Sequence, residues 1–345
     1  MTGLAAGTPT AAPRASARAA RPLRRGRRGA LVVLAVTGTA GLAVASVFVG
    51  VAEMTPADVL AGRADAEVLF ASRLPRTAAL LLAGSGLAVS GLIMQLLTRN
   101  VFVEPSTAGT LDFATAGLLT CALAVPDAGV LTRMLVAAAA ALAGTWLFLR
   151  ILRVIPLRDT LVIPLVGIML GGVIGSASTF VAYRTDLMQS LNGWTTGDFS
   201  AVLAGRYELL WVAGALVAVA VVVADRFTVA GMGEAFTTNL GLNYRRTVTV
   251  GLLVVSVTSA AVVVSVGALP FLGLIVPNVV RSVVGDNARR SVPWVTLLGA
   301  ALVVACDLIA RLVIFPFELP IGTVLGVLGA VAFLAILFRG SARVA

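Results

Sequence analysis

The sequence contains no lysine and no histidine, and it has few charged residues of any kind. Its 26 basic residues are therefore all arginines, and charged residues make up 12% of its 345 positions. A Walker-type phosphate loop needs a lysine that reaches the β- and γ-phosphates, so this chain does not build one. Without imidazole side chains it also has no histidine metal ligand and no histidine proton relay. We expect no catalytic residue, no cofactor and no metal site in this chain.

Cysteine is equally scarce. The two cysteines, Cys121 and Cys306, lie far apart in apolar stretches. This number and spacing exclude a disulfide framework and a CxxC metal or redox motif. We interpret both residues as small buried hydrophobic side chains.

Apolar residues are what the sequence has in abundance. They make up 59% of the chain, and the mean hydropathy is +1.01, whereas soluble domains contain roughly 45–50% apolar residues. They occur in successive runs of about 20 residues, the length that crosses ~30 Å of hydrocarbon. We predict an all-α polytopic membrane protein with about ten spans, the eighth of them short for a full crossing. The predicted spans are residues 30–51, 74–98, 107–125, 130–152, 159–183, 207–225, 247–269, 272–284, 292–315 and 321–338.

The net charge of +10 is concentrated at the N-terminus, where arginines cluster between Arg14 and Arg28 among Ala, Thr and Pro. This composition predicts a disordered cytoplasmic tail over residues 1–29 that is attracted to anionic lipid headgroups and not to nucleic acid. The transmembrane domain then covers residues 30–339, and residues 340–345 form a C-terminal cytoplasmic tail. The first apolar run is too long for the apolar region of a secretory signal, so we interpret it as a span.

The distribution of arginines sets the orientation in the membrane. With the N-terminus inside, most of the 26 arginines fall in cytoplasmic segments. The arginines in outer segments are Arg63, Arg73, Arg76, Arg133, Arg184, Arg206 and Arg311. This excess agrees with the positive-inside rule and predicts a multi-pass protein of the cell membrane with both termini in the cytoplasm.

One inner connection, residues 229–246, is too polar to span the membrane. Within it, Glu234, Ala235, Phe236 and Leu240 have the spacing of a short amphipathic helix that ends at Gly241. We expect a partner protein to bind such a cytoplasmic helix between two spans.

Several motifs occur in a characteristic order along the chain. They are Arg73-Leu74-Pro75-Arg76-Thr77, Met94-Gln95, Thr98-Arg99-Asn100, Glu104-Pro105, Ala108-Gly109-Thr110, Phe271-Leu272-Gly273-Leu274-Ile275-Val276-Pro277-Asn278, Asp307, Arg311 and Glu318-Leu319-Pro320-Ile321-Gly322. In these motifs and their order the chain resembles the FecCD-type permeases of ABC importers. The likeness runs from about residue 30 to residue 339 and implies a fold like that of cobalamin-importer permeases.

The resemblance implies the permease subunit of an ATP-driven importer of iron–siderophores, haem or cobalamin. Many family members have histidine where this chain has Asn278. Asn278, residues 285–287, residues 107–112 and residues 315–318 are similar to a branch that imports ferric catecholate siderophores of the petrobactin type. The implied partners are a second permease (a paralogue or an identical copy), a cytoplasmic ABC ATPase dimer that hydrolyses the ATP, and an extracytoplasmic siderophore-binding protein.

The resemblance also implies two sites. Arg73, Arg76 and Arg311 match arginines that dock the binding protein. The alternatives are interfacial snorkelling, or for Arg311 an ion pair with Asp307 four residues earlier. The second site, which would couple to the ATPase, comprises Gly233, Glu234, Ala235, Leu240 and Gly241, and its alternative is a plain surface loop.

Two other functional classes are weaker alternatives. An ion-coupled secondary carrier usually needs ionisable groups near the membrane midplane, and this sequence has few carboxylates in its apolar runs. A membrane-embedded enzyme would need a nucleophile–base pair, an HExxH motif or paired catalytic carboxylates. The sequence contains no such motif.

Overall fold

The computed structural model describes residues 25–50, 66–154 and 162–341 of the chain. Within these ranges the regular structure is entirely helical. We number the helices α1 Arg25–Phe48, α2 Leu74–Thr98, α3 Thr110–Ala124, α4 Val130–Val154, α5 Val162–Arg184, α6 Met188–Thr195, α7 Leu210–Ala230, α8 Glu234–Asn239, α9 Tyr244–Val266, α10 Leu272–Val284, α11 Ala288–Leu312 and α12 Ile321–Ser341. A helical turn, Ala66–Val68, and a π-helical turn, Leu69–Arg73, lead into α2.

Each of the ten predicted spans corresponds to one apolar helix, so the predicted fold class is confirmed. Seven helices are long and apolar enough to cross a membrane, and three apolar helical stretches, in α3, α10 and α12, are shorter. Residues 1–24 and 342–345 of the predicted tails, together with Arg63 and Arg158, lie outside the described residues.

The helix boundaries depart from the hydropathy boundaries at the end of the bundle predicted to be cytoplasmic. Helix α7 continues to Ala230, and α11 begins at Ala288. Helices α9 and α11 begin where Asn243 and Asn287 accept hydrogen bonds from backbone amides three residues later, at 3.0 and 3.1 Å. Such an N-cap contributes about 1 kcal/mol, and it acts on the backbone regardless of hydropathy.

Helix α2 lies at the centre of the bundle. It packs against α1, α7, α9, α10 and α11, and 83% of its apolar window is buried, against 22% for α5 and for α7. Helix association in lipid depends on close packing because the lipid tails are as apolar as the side chains. The Gly, Ala and Ser residues that fill the middle of α2 permit that packing on every side.

The closest contact of α2 with α11 joins two glycines. A Cβ atom added to Gly84 would lie 2.6 Å from the carbonyl oxygen of Gly299, and one added to Gly299 would lie 2.5 Å from the Cβ of Ala88. Neither position has room for a methyl group unless the two backbones separate. The two helices are therefore held at backbone contact distance.

Helices α3 and α10 are too short to cross the bilayer. With 15 and 13 residues, they rise about 22 and 20 Å, less than the ~30 Å of a hydrocarbon core. The short eighth span was expected, whereas the third was predicted to begin at residue 107. Residues 99–109 instead form turns that pack against α10. Asn100 and Thr107 bond to backbone groups within the turns, and Glu104 accepts the amide of Phe271 next to α10.

Replacement of Gly84 by alanine tests the contact between α2 and α11. We expect the methyl group to force the helices apart and to lower the free energy of unfolding by about 1–3 kcal/mol, the usual cost of overpacking. Thermal unfolding of the purified chain in detergent measures the change. Gly38→Ala in α1 is the matched control, since nothing lies within 4 Å of its added Cβ. A Gly84→Ala protein that is as stable as the Gly38→Ala protein would contradict the packing argument.

Candidate functional site

The three arginines predicted to dock a binding protein come together at one end of the bundle. We call Arg73, Arg76, Asp307, Arg311 and Glu318 the outer arginine cluster. It joins the start of α2, the last turns of α11 and the segment that precedes α12. The cluster is largely buried: the exposed fractions are 0% for Asp307, 6% for Arg311 and 8% for Arg73.

Arg76 bridges two carboxylates. Its Nη2 donates to Asp307 Oδ1 at 2.7 Å, and its Nη1 donates to Glu318 Oε2 at 2.8 Å. Arg311 pairs with the other oxygen of Asp307. Asp307 therefore lies between two guanidinium groups, and the alternative interpretation of Arg311 as its partner at i,i+4 agrees with the structure.

Two of the arginines also bind the end of α1. Arg311 Nη1 donates to the carbonyl oxygens of Ser46 and Val49 at 3.1 and 2.8 Å, and Arg73 Nη1 donates to that of Val47 at 2.7 Å. The last four carbonyl groups of a helix have no intrahelical donor, and cations are favourable there. The cluster thus ties three helix ends together. Sequence reasoning found the arginines but not these carbonyl partners.

The predicted coupling segment lies at the opposite end of the bundle. A short helix, α8, is present as predicted, between Gly233 with φ +112° and Gly241 with φ +76°. Thr237 is buried, and its Oγ1 donates to the carbonyl oxygens of Val229 and Gly233 at 3.1 and 2.7 Å. These bonds fix α8 to the end of α7.

The outer surface of α8 is available to a partner. Glu234 and Ala235 are exposed, and the apolar side chains of Phe236 and Leu240 are 47% and 57% exposed. On its inner side, a Cβ atom added to Gly233 would lie 3.3 Å from Nη1 of Arg99, which follows the last residue of α2. The segment therefore contacts the central helix and presents apolar side chains away from the bundle.

The inner residues of the family motifs meet between α2 and α10. Gln95 Nε2 donates to the carbonyl oxygen of Gly273 at 3.3 Å, and Asn278 Nδ2 donates to that of Val101 at 2.8 Å. Asn100 is buried and accepts a bond from the amide of Phe102 at 2.9 Å. Pro277 lies within α10. The motif residues of two separate segments therefore form one contact.

The remaining motif residues lie where helices begin. Pro75 is in the first turn of α2, where a proline costs no hydrogen bond. The carbonyl oxygen of Pro105 accepts from the amide of Thr110 at 2.9 Å, at the start of α3. Pro320 precedes α12, and the amide of Gly322 donates to the carbonyl oxygen of Gly197 at 2.9 Å.

A groove that contains a carboxylate and several hydroxyl groups opens between α3 and α5. Its volume is about 600 Å³, and it is lined by Asp112, Gly171, Gly175, Ser176, Thr179 and Tyr183 among others. Asp112 takes part in none of the ion pairs between described residues. A carboxylate and hydroxyl groups at this depth are unfavourable against lipid, so the groove suits a protein or aqueous neighbour.

Comparison with known proteins agrees with the motif analysis. The model of the FecCD transport family matches residues 35–339. The chain belongs to the FecCD transport family. The family expected from the motifs is thereby confirmed, and the chain is a transport protein of the multi-pass membrane type.

Two FecCD relatives and one solved structure show how far the likeness extends. The petrobactin import system permease protein YclN of Bacillus subtilis is 49% identical over 302 residues, which cover 87% of this chain and 96% of the relative. The ferric-anguibactin transport system permease protein FatD of Vibrio anguillarum is 42% identical over 273 residues, 79% of this chain and 87% of the relative. A metal-chelate-type ABC transporter in an inward-facing conformation has a TM-score of 0.76 at 21% identity, over 90% of this chain and 99% of that chain. This last likeness concerns the fold.

Asp307→Asn tests the outer arginine cluster. The variant keeps the side-chain volume but leaves two buried guanidinium groups without their shared charge. We expect it to lower the free energy of unfolding by about 3–5 kcal/mol, as when one partner of a buried ion pair is removed. Unfolding of the detergent-solubilised chain measures the loss.

Asp225→Asn is the control for this experiment. Asp225 pairs with Arg289 at 3.0 Å, but the two side chains are 60% and 74% exposed. Exposed pairs contribute about 0–1 kcal/mol. Equal effects of the two substitutions would contradict a structural role for the buried cluster.

Proposed function

We propose that this chain is the permease subunit of an ATP-driven importer that carries iron(III)–siderophore complexes across the cell membrane. The observation that carries the proposal is the 49% identity to a petrobactin import permease over nearly the whole length of both chains. A second relative, at 42% identity, is named for ferric anguibactin. Among siderophores we propose a catecholate as cargo, in agreement with the motif resemblance.

Both termini and the α8 end of the bundle are cytoplasmic in this proposal, and the ATPase is a separate subunit that binds α8. The exposed Phe236 and Leu240 support this, because large apolar side chains exposed outside lipid mark contact sites for other proteins. The hydrogen bonds of Thr237 hold α8 rigidly, so that displacement of this helix would be transmitted to α7.

We further propose that an extracytoplasmic binding protein docks over the outer arginine cluster. Arg76 and Arg311 pair with Asp307 and Glu318 there, so charged side chains that can form ion pairs with a partner protein lie at this end of the bundle. Arg73 and Arg311 are almost fully buried, so they contribute to docking mainly through the electrostatic potential and the shape of this surface. Arg76 and Glu318, 11% and 27% exposed, reach the surface directly.

A second permease subunit completes the pathway in this proposal, either a paralogue or an identical copy. The groove beside Asp112 supports it, since a carboxylate at this depth needs a neighbour other than lipid. A pathway between two subunits is lined partly by α5, whose surface is largely exposed in the single chain.

Uptake of radioactive iron tests the cargo. Proteoliposomes are prepared with the complete importer, ATP inside and the binding protein outside. We expect uptake of a ferric catecholate siderophore and none of haem or cobalamin. Transport of haem or cobalamin in place of the siderophore would overturn the assignment, and uptake without nucleotide would overturn ATP-driven import.

Substitution of Phe236 and Leu240 by alanine tests the ATPase contact. We expect the double variant to bind the ATPase subunit about tenfold or more weakly, because buried apolar anchors dominate such interfaces. Co-purification and ATP-dependent uptake measure the effect. Thr238→Ala, on the same helix and with its Oγ1 bonded to the carbonyl oxygen of Glu234, is the control. Normal binding by the double variant would exclude α8 as the ATPase contact.

A further inference from the structure

The beginning of α10 is buried inside the bundle, where its backbone amides need partners. The first amides of a helix have no intrahelical acceptor, and lipid offers none. Gly273, in the first turn, packs so tightly on α2 that a Cβ atom added to Gly91 would lie 2.1 Å from its carbonyl oxygen. Water is therefore excluded from one side of this helix end, and the protein itself must supply an acceptor.

Glu104, from the turns between α2 and α3, supplies that acceptor. Its side chain is 2% exposed, and Oε1 accepts a hydrogen bond from the amide of Phe271 at 2.8 Å. Ser106 Oγ also donates to this carboxylate. A carboxylate at a helix N-terminus satisfies the free amides and interacts favourably with the helix dipole.

A second hydrogen-bonded contact joins α10 to the turns between α2 and α3. Asn278, one and a half turns further along α10, donates through Nδ2 to the carbonyl oxygen of Val101 and to that of Leu274, both at 2.8 Å. Residues 99–109, which we call the α2–α3 loop, are therefore held to α10 at two points. The backbone changes direction at both ends of α10, where Phe271 has φ +63° and Gly285 has φ +91°.

The α2–α3 loop also reaches the coupling segment. Arg99 is its first residue, and its guanidinium group lies against Gly233, the residue that precedes α8. A physical chain of contacts thus runs from α8 through Arg99 and the loop to Glu104 and the buried start of α10. Displacement of α8 has a direct route to a short helix at membrane depth.

We propose that Glu104 is a positioning residue for transport that fastens α10 to the α2–α3 loop, so that both move as one body when α8 is displaced. The inference rests on the proposed role of α8 as the ATPase contact. Loss of the Glu104 carboxylate separates α10 from the loop, so that ATP hydrolysis continues while cargo movement is reduced. Glu104 touches neither ATP nor the ATPase; it acts through the backbone of α10.

The test uses Glu104→Gln in the complete importer reconstituted in proteoliposomes with ferric catecholate. A glutamine keeps the size of the side chain and one acceptor oxygen for the amide of Phe271, but it loses the negative charge that interacts favourably with the start of α10. We expect the maximal uptake rate to fall about tenfold, while half-saturation by the loaded binding protein and the rate of ATP hydrolysis stay within about twofold of wild type. Glu208→Gln is the matched control, because Glu208 also accepts a backbone amide, that of Gly205 at 2.7 Å, but in an exposed loop.

A second variant and a second measurement keep the inference testable if Glu104→Gln folds poorly. Asn278→Ala removes the other tie, and we expect its effect on uptake to be non-additive with that of Glu104→Gln, since both act on one contact. Hydrogen–deuterium exchange of the solubilised chain, which needs no cargo, is expected to rise in residues 99–109 and 271–276 and not in the outer arginine cluster.

Three results would overturn the inference: unchanged uptake, a loss of uptake matched by an equal loss of ATP hydrolysis, or a loss that only follows the amount of folded protein. Failure of the wild-type importer to carry any ferric siderophore would instead refute the proposed function. The exchange measurement would still decide whether Glu104 holds α10 to the loop.

Discussion

Backbone amide and carbonyl groups at membrane depth must find partners within the protein, because the hydrocarbon offers none. In the part of the chain that the structure describes, ten apolar helices meet this requirement through their own hydrogen bonds. Where the chain departs from a helix at this depth, side chains bond to the backbone groups instead. Glu104 accepts the amide of Phe271, which precedes α10, and Asn278 donates to the carbonyl oxygen of Val101. The irregular segments are consequently the ones that carry buried polar residues.

The same requirement explains the outer arginine cluster. The carbonyl groups at the end of α1 accept bonds from Arg73 and Arg311, and the positive charge this brings is balanced by Asp307 and Glu318. Buried ion pairs add little stability compared with apolar packing, but they are costly to break. Such a cluster therefore adds little to the free energy of unfolding. Its main effect is to determine which helix ends lie together.

The number and type of spans could be predicted from the sequence because hydropathy is a local property. The helix at α8 could also be predicted, from Gly233, Gly241 and the spacing between them. The late start of α3 could not be predicted, because the turns of residues 99–109 depend on contacts with residues more than 160 positions away. For the same reason the sequence indicated Arg73, Arg76 and Arg311 as outer residues but not their shared burial. Glu104 was visible only as part of a motif, with no sign that it binds α10.

Helix α2 connects the two regions that the proposed function requires. Its first turn holds Arg76 in the outer arginine cluster, and the residue after its last turn, Arg99, contacts the coupling segment. Its 25 residues span about 37 Å, and glycine contacts with α10 and α11 hold it at backbone distance from its neighbours. A helix packed this closely is displaced as a unit rather than deformed, since cores resist small changes in volume. Relative motion must therefore occur where packing is interrupted, and the positive-φ residues at both ends of α10 provide such a place.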